Sequence, residues 1–186
     1  MPFGIELLFD PPTEKAIRNI WRKLEKNKVS TPLGRDNPHV TLAAFNDADM
    51  GTIGARCRKI SGEFSAIPAS FESIGSFTHE RVLFLAPVVT LELLRIHQKV
   101  HQSIRLLAEG QSPYYLPGDG WAPHCTLAMS KSDKSYLKSL KVMRAVPIGW
   151  KGRFTRLEAH EYELLAGGCS RRLRTVFSAT LHKNKS

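Results

Sequence analysis

The stretch NPHVTLAAF at residues 37–45 returns as APHCTLAMS at residues 122–130, so Pro-His-x-Thr-Leu is written twice in one chain of 186 residues. A repeat constrains the fold more than any other feature here, because each copy needs comparable surroundings. The surroundings repeat as well. The apolar run FGIELLF (3–9) reads as a buried strand, and Asp10-Pro11-Pro12 opens a helix with Ile17, Ile20, Trp21 and Leu24 at helical spacing. After the polar turn STPLGRDNP come the strand HVTLAAF, a helix capped by Asp47 with Met50, Ile53, Cys57 and Ile60 on one face, and a β-rich stretch from Phe64 to Val88 broken near THER.

The second half follows the same order. A helix from about Leu91 to Ala108 leads through the irregular loop EGQSPYYLPGDGWAP into the strand HCTLAM, then a helix from about Asp133 to Ala145 and two strands around GGCSRR. The pattern predicts an α+β fold of two pseudo-symmetric lobes, about 1–88 and 89–186, each an antiparallel sheet with helices on its outer face, around a central cleft. No Gly/Pro-rich linker separates them, so residues 1–186 are expected to form one domain with strands exchanged between the lobes.

Along a strand, residues i and i+2 share a face. Val40 and Cys125 are then expected in the core, with His39/Thr41 and His124/Thr126 projecting in pairs into one groove. Two imidazoles and two hydroxyls suit cleavage or formation of a phosphodiester. One imidazole takes a proton from the attacking oxygen and the other gives one to the leaving oxygen, while the hydroxyls hold non-bridging oxygens. Arg35, Lys151, Arg153 and Arg171 are the candidates for added positive charge. Tyr115 and Trp121, with Tyr114, lie in the loop leading to His124, where aromatic rings can stack on a base.

The paired HVTL and HCTL motifs, the apolar first strand and the closing segment HEYELLAGGCSRRLRTVFSATL resemble the two-histidine (2H) phosphoesterase superfamily, in its 2′-5′ RNA ligase-like branch, over nearly the whole chain. The resemblance implies two lobes around an open cleft, no metal or other cofactor, and His39, Thr41, His124 and Thr126 as catalytic residues. It implies an enzyme opening 2′,3′-cyclic phosphates of RNA ends or nucleotides to a 2′-phosphate, with His39 as general acid and His124 as general base. The reverse assignment of the two histidines stays open. So do a 2′-5′ RNA ligase or 2′-5′ phosphodiesterase and a non-catalytic RNA-binding module.

The remaining features agree with such a partner. Twenty-seven Lys and Arg stand against 17 Asp and Glu, a net charge of +10 that favours polyanions such as RNA ends or small cyclic and 2′-5′ nucleotides. Cys57, Cys125 and Cys169 fit neither a disulfide framework nor a zinc site. With no signal-peptide pattern at the start and no long apolar run, a cytoplasmic protein without membrane association is expected. HQKVH puts His97 and His101 at a two-ligand spacing, but without a following Glu or a third ligand it reads as the flank of a helix. In SRRLR, strand alternation puts Arg172 and Arg174 on one face and Arg171 on the other. His79, His160 and His182 lack a Thr partner and read as surface or core residues.

Overall fold

The computed structural model describes residues 2–118, 120–164 and 170–181; Cys169 and His182 lie outside them. The first strand, β1 (Phe3–Phe9), is buried along its whole length. Helix α1 (Pro11–Lys26) follows at once, because the Asp10 carboxylate accepts from Thr13 N and the two prolines occupy the first helical turn, where no N–H is needed. Next come β2 (His39–Phe45), the two-residue β3 (Asp47–Ala48), α2 (Met50–Glu63), β4 (Ile67–Phe77) and β5 (Val82–Pro87). The cap of α2 is Asp49, which accepts from Gly51 N and Thr52 N, and not Asp47, which lies in β3. The chain continues through α3 (Leu91–Ile104), β6 (Ala108–Glu109), β7 (Cys125–Met129), α4 (Asp133–Met143), β8 (Trp150–Leu164) and β9 (Ser170–Thr180). Helix α3 is shorter than its apolar pattern suggests, since Ala108 pairs with Ala48 as part of β6.

The fold is α+β, and one seven-stranded sheet carries it in the order β2-β1-β8-β4-β5-β7, with β9 also on β8. All of its pairings are antiparallel. The two halves of the sequence interleave in this sheet. Strand β5 pairs with β7 of the second half, and β8 returns to pair with β1 and β4 of the first. The long β8 joins the two sides: Trp150–Phe154 lies against β4, and Arg156–Leu164 lies against β9. Helices α2 and α3 cover one side, against β8, β9 and β2, and α1 and α4 cover the other, against β7, β8 and β5.

The core runs through both sides without a break, from Phe3, Ile5, Leu7 and Phe9 on β1 to Leu83, Leu85, Cys125 and Leu127 on β5 and β7. Val40 and Cys125 are fully buried, as alternation from the two motifs requires. The sheet also curves until its outer strands β2 and β7 approach one another. Met129 N, at the end of β7, donates to Ser30 O in the segment before β2. No helix among the described residues is long and apolar enough to cross a membrane.

Candidate active site

Both copies of the repeated motif are built in the same way, and each residue type in it has a local reason. A proline precedes each histidine, restricting the residue before it to extended backbone and lining up that residue's carbonyl. His39 Nδ1 meets Asn37 O, and His124 Nδ1 meets Ala122 O, both at 2.8 Å. Because a carbonyl can only accept, Nδ1 carries the proton in both rings and Nε2 is left for chemistry. Past the threonine, each strand has a β-bulge. Thr41 pairs with Glu6 and Ala43 with Ile5, leaving Leu42 extra; Thr126 pairs with Phe84 and Ala128 with Leu83, leaving Leu127 extra. A bulge re-aims the strand at that point.

The edge carbonyls of the two strands are also treated alike. Trp121 Nε1 donates to Thr41 O at 3.1 Å, and Trp21 Nε1 donates to Thr126 O at 3.0 Å. Each indole caps a carbonyl that an outer strand would leave without a protein partner. The Thr41 hydroxyl engages the phenol of Tyr115, whose ring lies parallel to His124 with centroids 6.5 Å apart. The Thr126 hydroxyl has no hydrogen-bond partner among the described residues.

The two imidazoles differ in what surrounds them. Burial pushes the pKa of His39 down, but the Glu6 and Asp36 carboxylates and the Asn37 carbonyl outweigh it, and the net shift is upward. His39 Nε2 is 3.2 Å from Glu6 Oε1, and Nδ1 is 3.7 Å from Asp36 Oδ2. His124 shifts downward, first through burial and then through the charge of His39. The rings of Phe77 and Phe84 stand 4.9 and 5.3 Å from its centroid. The electrostatic coupling of His124 to His39 and the contact of the Cys125 thiol with the His39 main chain bring the two motifs to one place.

Behind His39 lies a charged cluster that takes in Arg172 and His160 and adds Glu6, Asp36, Glu158 and Tyr162, which carry no signal of their own in the sequence. Glu6, 1% exposed, accepts from Arg172 at 2.8 Å and from the Tyr162 hydroxyl. Arg172 also meets Asp36 at 2.6 Å, and His160 sits 3.0 Å from Glu158 and 3.5 Å from Glu6. Glu6, Asp36 and His39 present three ligand atoms within 4.8 Å of one another. The Arg172 guanidinium already bridges the two carboxylates of that trio, so a metal there would have to displace a cation. The alternation expected for SRRLR is broken by a bulge: Tyr162 pairs with Arg172 and Glu161 with Arg174, with Leu173 extra. Arg172 therefore turns inward, while Arg171 and Arg174 pair with Glu163 and Glu161 on the opposite face.

The other candidates are scattered. Arg35 is exposed and folds back on Thr31 O and Ser30 Oγ of its own loop. Lys151 and Arg153 are exposed on β8 beside Ser70 and Pro68, and among the described residues neither contacts a motif histidine. Trp121 is a structural bracket, with its N–H on Thr41 O and one face stacked on His97 at 3.7 Å, so that face is closed to a base. Of the aromatic candidates, Tyr115 stands between the motifs.

His97 and His101 are buried, 2% and 4% exposed, deeper than a helix flank. His97 Nε2 meets Tyr115 O at 2.8 Å and His101 Nε2 meets Leu42 O at 2.9 Å, so the pair ties the aromatic loop and β2 to α3. Burial lowers the His97 pKa from 6.5 to about 4. The unfolded chain then binds more protons than the folded one between those values, and stability must fall as pH drops through that window. The expected loss is on the order of 3 kcal/mol. Urea unfolding at pH 7 and pH 4.5 measures it; a His97→Phe variant should show a flatter pH dependence, and an unchanged slope would remove His97 as the cause.

A family model described as the 2′-5′ RNA ligase superfamily matches residues 9–164. The chain belongs to that superfamily. No curated protein matches it in sequence. Among solved structures it is similar to E. coli LigT complexed with 3′-AMP, at 14% identity and a TM-score of 0.64 over 97% of each chain. It is also similar to TT0787 of Thermus thermophilus, at 17% identity and a TM-score of 0.66 over 99% of this chain and 100% of that one. A third is described as a phosphoesterase, at 17% identity and a TM-score of 0.62 over 97% and 98%. These likenesses establish the fold, and they agree with the 2H phosphoesterase resemblance carried by the two motifs.

Proposed function

We propose that the protein is a metal-independent phosphodiesterase that opens 2′,3′-cyclic phosphates of RNA ends or nucleotides to a 2′-phosphate. The observation that carries this reading is the matched pair of imidazoles, each fixed at Nδ1 by the carbonyl two residues back and each offering Nε2. His124 takes a proton from water as its oxygen attacks phosphorus. The P–O3′ bond breaks, and His39 gives its proton to O3′. The product is a 2′-monoester with a free 3′-hydroxyl, and proton exchange with solvent resets both rings. Thr41 and Thr126 donate to the non-bridging oxygens, and Tyr115 is placed to contact the nucleoside. E. coli LigT complexed with 3′-AMP supports a ribonucleotide-sized ligand, and the net charge of +10 supports an anionic one.

The decisive experiment incubates the protein with 2′,3′-cyclic nucleotides and with 2′-5′ dinucleotides, with EDTA present, and reads the products by phosphorus NMR. A 2′-monoester from the cyclic substrate is expected. Turnover of the 2′-5′ linkage alone would move the activity to the 2′-5′ phosphodiesterase or ligase reaction. Binding without turnover of either would leave an RNA-binding module, and loss of activity to EDTA would overturn the metal-free mechanism.

Thr41→Val and Thr126→Val are expected to lower turnover about 10- to 10³-fold, since a phosphate hydrogen bond is lost while both proton shuttles remain. Steady-state kinetics checks this. A valine variant as inactive as a histidine one would give threonine a different role.

A further inference from the structure

The two motifs are equivalent in sequence, but the strands beside them are not. The matched bulges extend the equivalence to one further position: the residue opposite Thr41 is Glu6, and the residue opposite Thr126 is Phe84. Glu6 puts a buried carboxylate oxygen 3.2 Å from His39 Nε2. Phe84 puts a phenyl ring against His124, and with Phe77, 4.6 Å from it, covers one side of that imidazole with apolar surface. Gly75, its partner on β4, leaves the room that the ring occupies, since an added Cβ would lie 2.2 Å from it.

We propose that Glu6 and Phe84 are positioning residues that polarise a pseudo-symmetric site, Glu6 making His39 the proton donor and Phe84 making His124 the proton acceptor. This rests on the reaction proposed above and names what sets its direction. A carboxylate beside one nitrogen, with a carbonyl on the other, gives His39 an acceptor at each N–H and so favours the doubly protonated ring. An imidazole packed against two phenyl rings has no carboxylate to offset its lost hydration and favours the neutral ring. The directions of the two pKa shifts agree. If the roles were reversed, the acid would be the histidine that holds its proton less well, and the reactive form would be a minor species near neutral pH.

The other charged groups around the pair do not cancel this. Asp36 acts on His39 in the same direction as Glu6, Arg172 acts against both, and the charge on His39 itself lowers His124. Glu6 is oriented by Arg172 and Tyr162, with His160 3.5 Å away, and it also faces Tyr115 and Cys125. In the resting protein Glu6 Oε1 is the partner of the same Nε2–H that must reach O3′. Transfer leaves a neutral ring against a carboxylate, which favours prompt reprotonation for the next turnover.

The test is a site-resolved titration of the imidazole nitrogens by NMR in the resting protein, alongside the pH profile of kcat. His39 is expected to hold its proton to higher pH than His124. Glu6→Gln should lower the His39 midpoint by about a pH unit or more and leave that of His124 nearly unmoved. Its kcat should then fall on the order of 10-fold at pH 8 and much less at pH 6, whereas a merely structural defect would lower both alike. Because Glu6 is tied into the buried cluster, Phe84→Glu is the second variant: a carboxylate placed opposite Thr126 should raise the His124 midpoint without touching Glu6. Equal midpoints in the wild type, an unmoved His39 in a folded Glu6→Gln, or an unmoved His124 in Phe84→Glu would each overturn the proposal. A polarised titration in a protein that opens no cyclic phosphate would refute the reaction and leave the polarisation standing.

Discussion

Replacing His39 or His124 with alanine is expected to reduce turnover of a 2′,3′-cyclic nucleotide by about 10²- to 10⁴-fold while the chain stays folded. Each substitution removes one of two proton-transfer groups. Neither removes core: both side chains are half-buried, and His124 makes its hydrogen bond to a carbonyl only two residues away. His39→Ala leaves Glu6 with Arg172 and Tyr162 as partners, so no buried carboxylate is stranded. The two residues act in one concerted step, and the double variant should therefore be little worse than either single one. Stopped assays of kcat with circular dichroism as the folding control provide the measurement. Unchanged turnover in either folded single variant would sink the mechanism, and additive losses would separate the two histidines into different steps.

What the sequence made legible was whatever lies within one strand or one helix. Period-two alternation placed Val40 and Cys125 inside and the His-x-Thr pairs together, and the Asp10-Pro11-Pro12 signature placed the start of α1. What it hid depends on pairing. The cluster behind His39 draws on positions 6, 36, 158, 160, 162 and 172, and the pairing of β8 with β1 on one side and β9 on the other brings the last four of them to Glu6. Glu6 in particular sits inside an apolar run that reads as plain core. Arg172 and Arg174, expected on one face, part for a local reason, since one bulged residue, Leu173, puts Arg174 on the face of Arg171. Trp121 and the HQKVH pair illustrate a third limit. An aromatic ring in a loop and two histidines on a helix look like binding groups separately, but stacked on one another they hold the loop in place.

That parting of the two arginines leads to a large expected effect on stability. Arg172 and Arg174 stand two residues apart in the same strand, yet the Arg172 side chain is 11% exposed and that of Arg174 is 67% exposed. Arg172 meets Glu6 at 2.8 Å, Asp36 at 2.6 Å and Glu158 at 3.7 Å, whereas Arg174 makes a two-pronged contact with Glu161 at the surface. Burial by itself would weaken the hold of Arg172 on its proton, but Glu6 and Asp36 more than reverse this. Arg172→Met keeps much of the side-chain volume and strands those carboxylates without their cation, which is expected to cost about 3–5 kcal/mol. Arg174→Met removes a single ion pair whose guanidinium side lies open to water, and it should cost less than Arg172→Met. Adding Asp36→Asn to Arg172→Met should recover part of the loss, because one stranded charge is gone and neighbouring sites are not additive. Urea unfolding of the four proteins measures all of this. If Arg172→Met is as stable as the wild type, or if Arg174→Met is equally damaging, then the inward turn of Arg172 and its pairing with the buried carboxylates are not what holds this side of the sheet together.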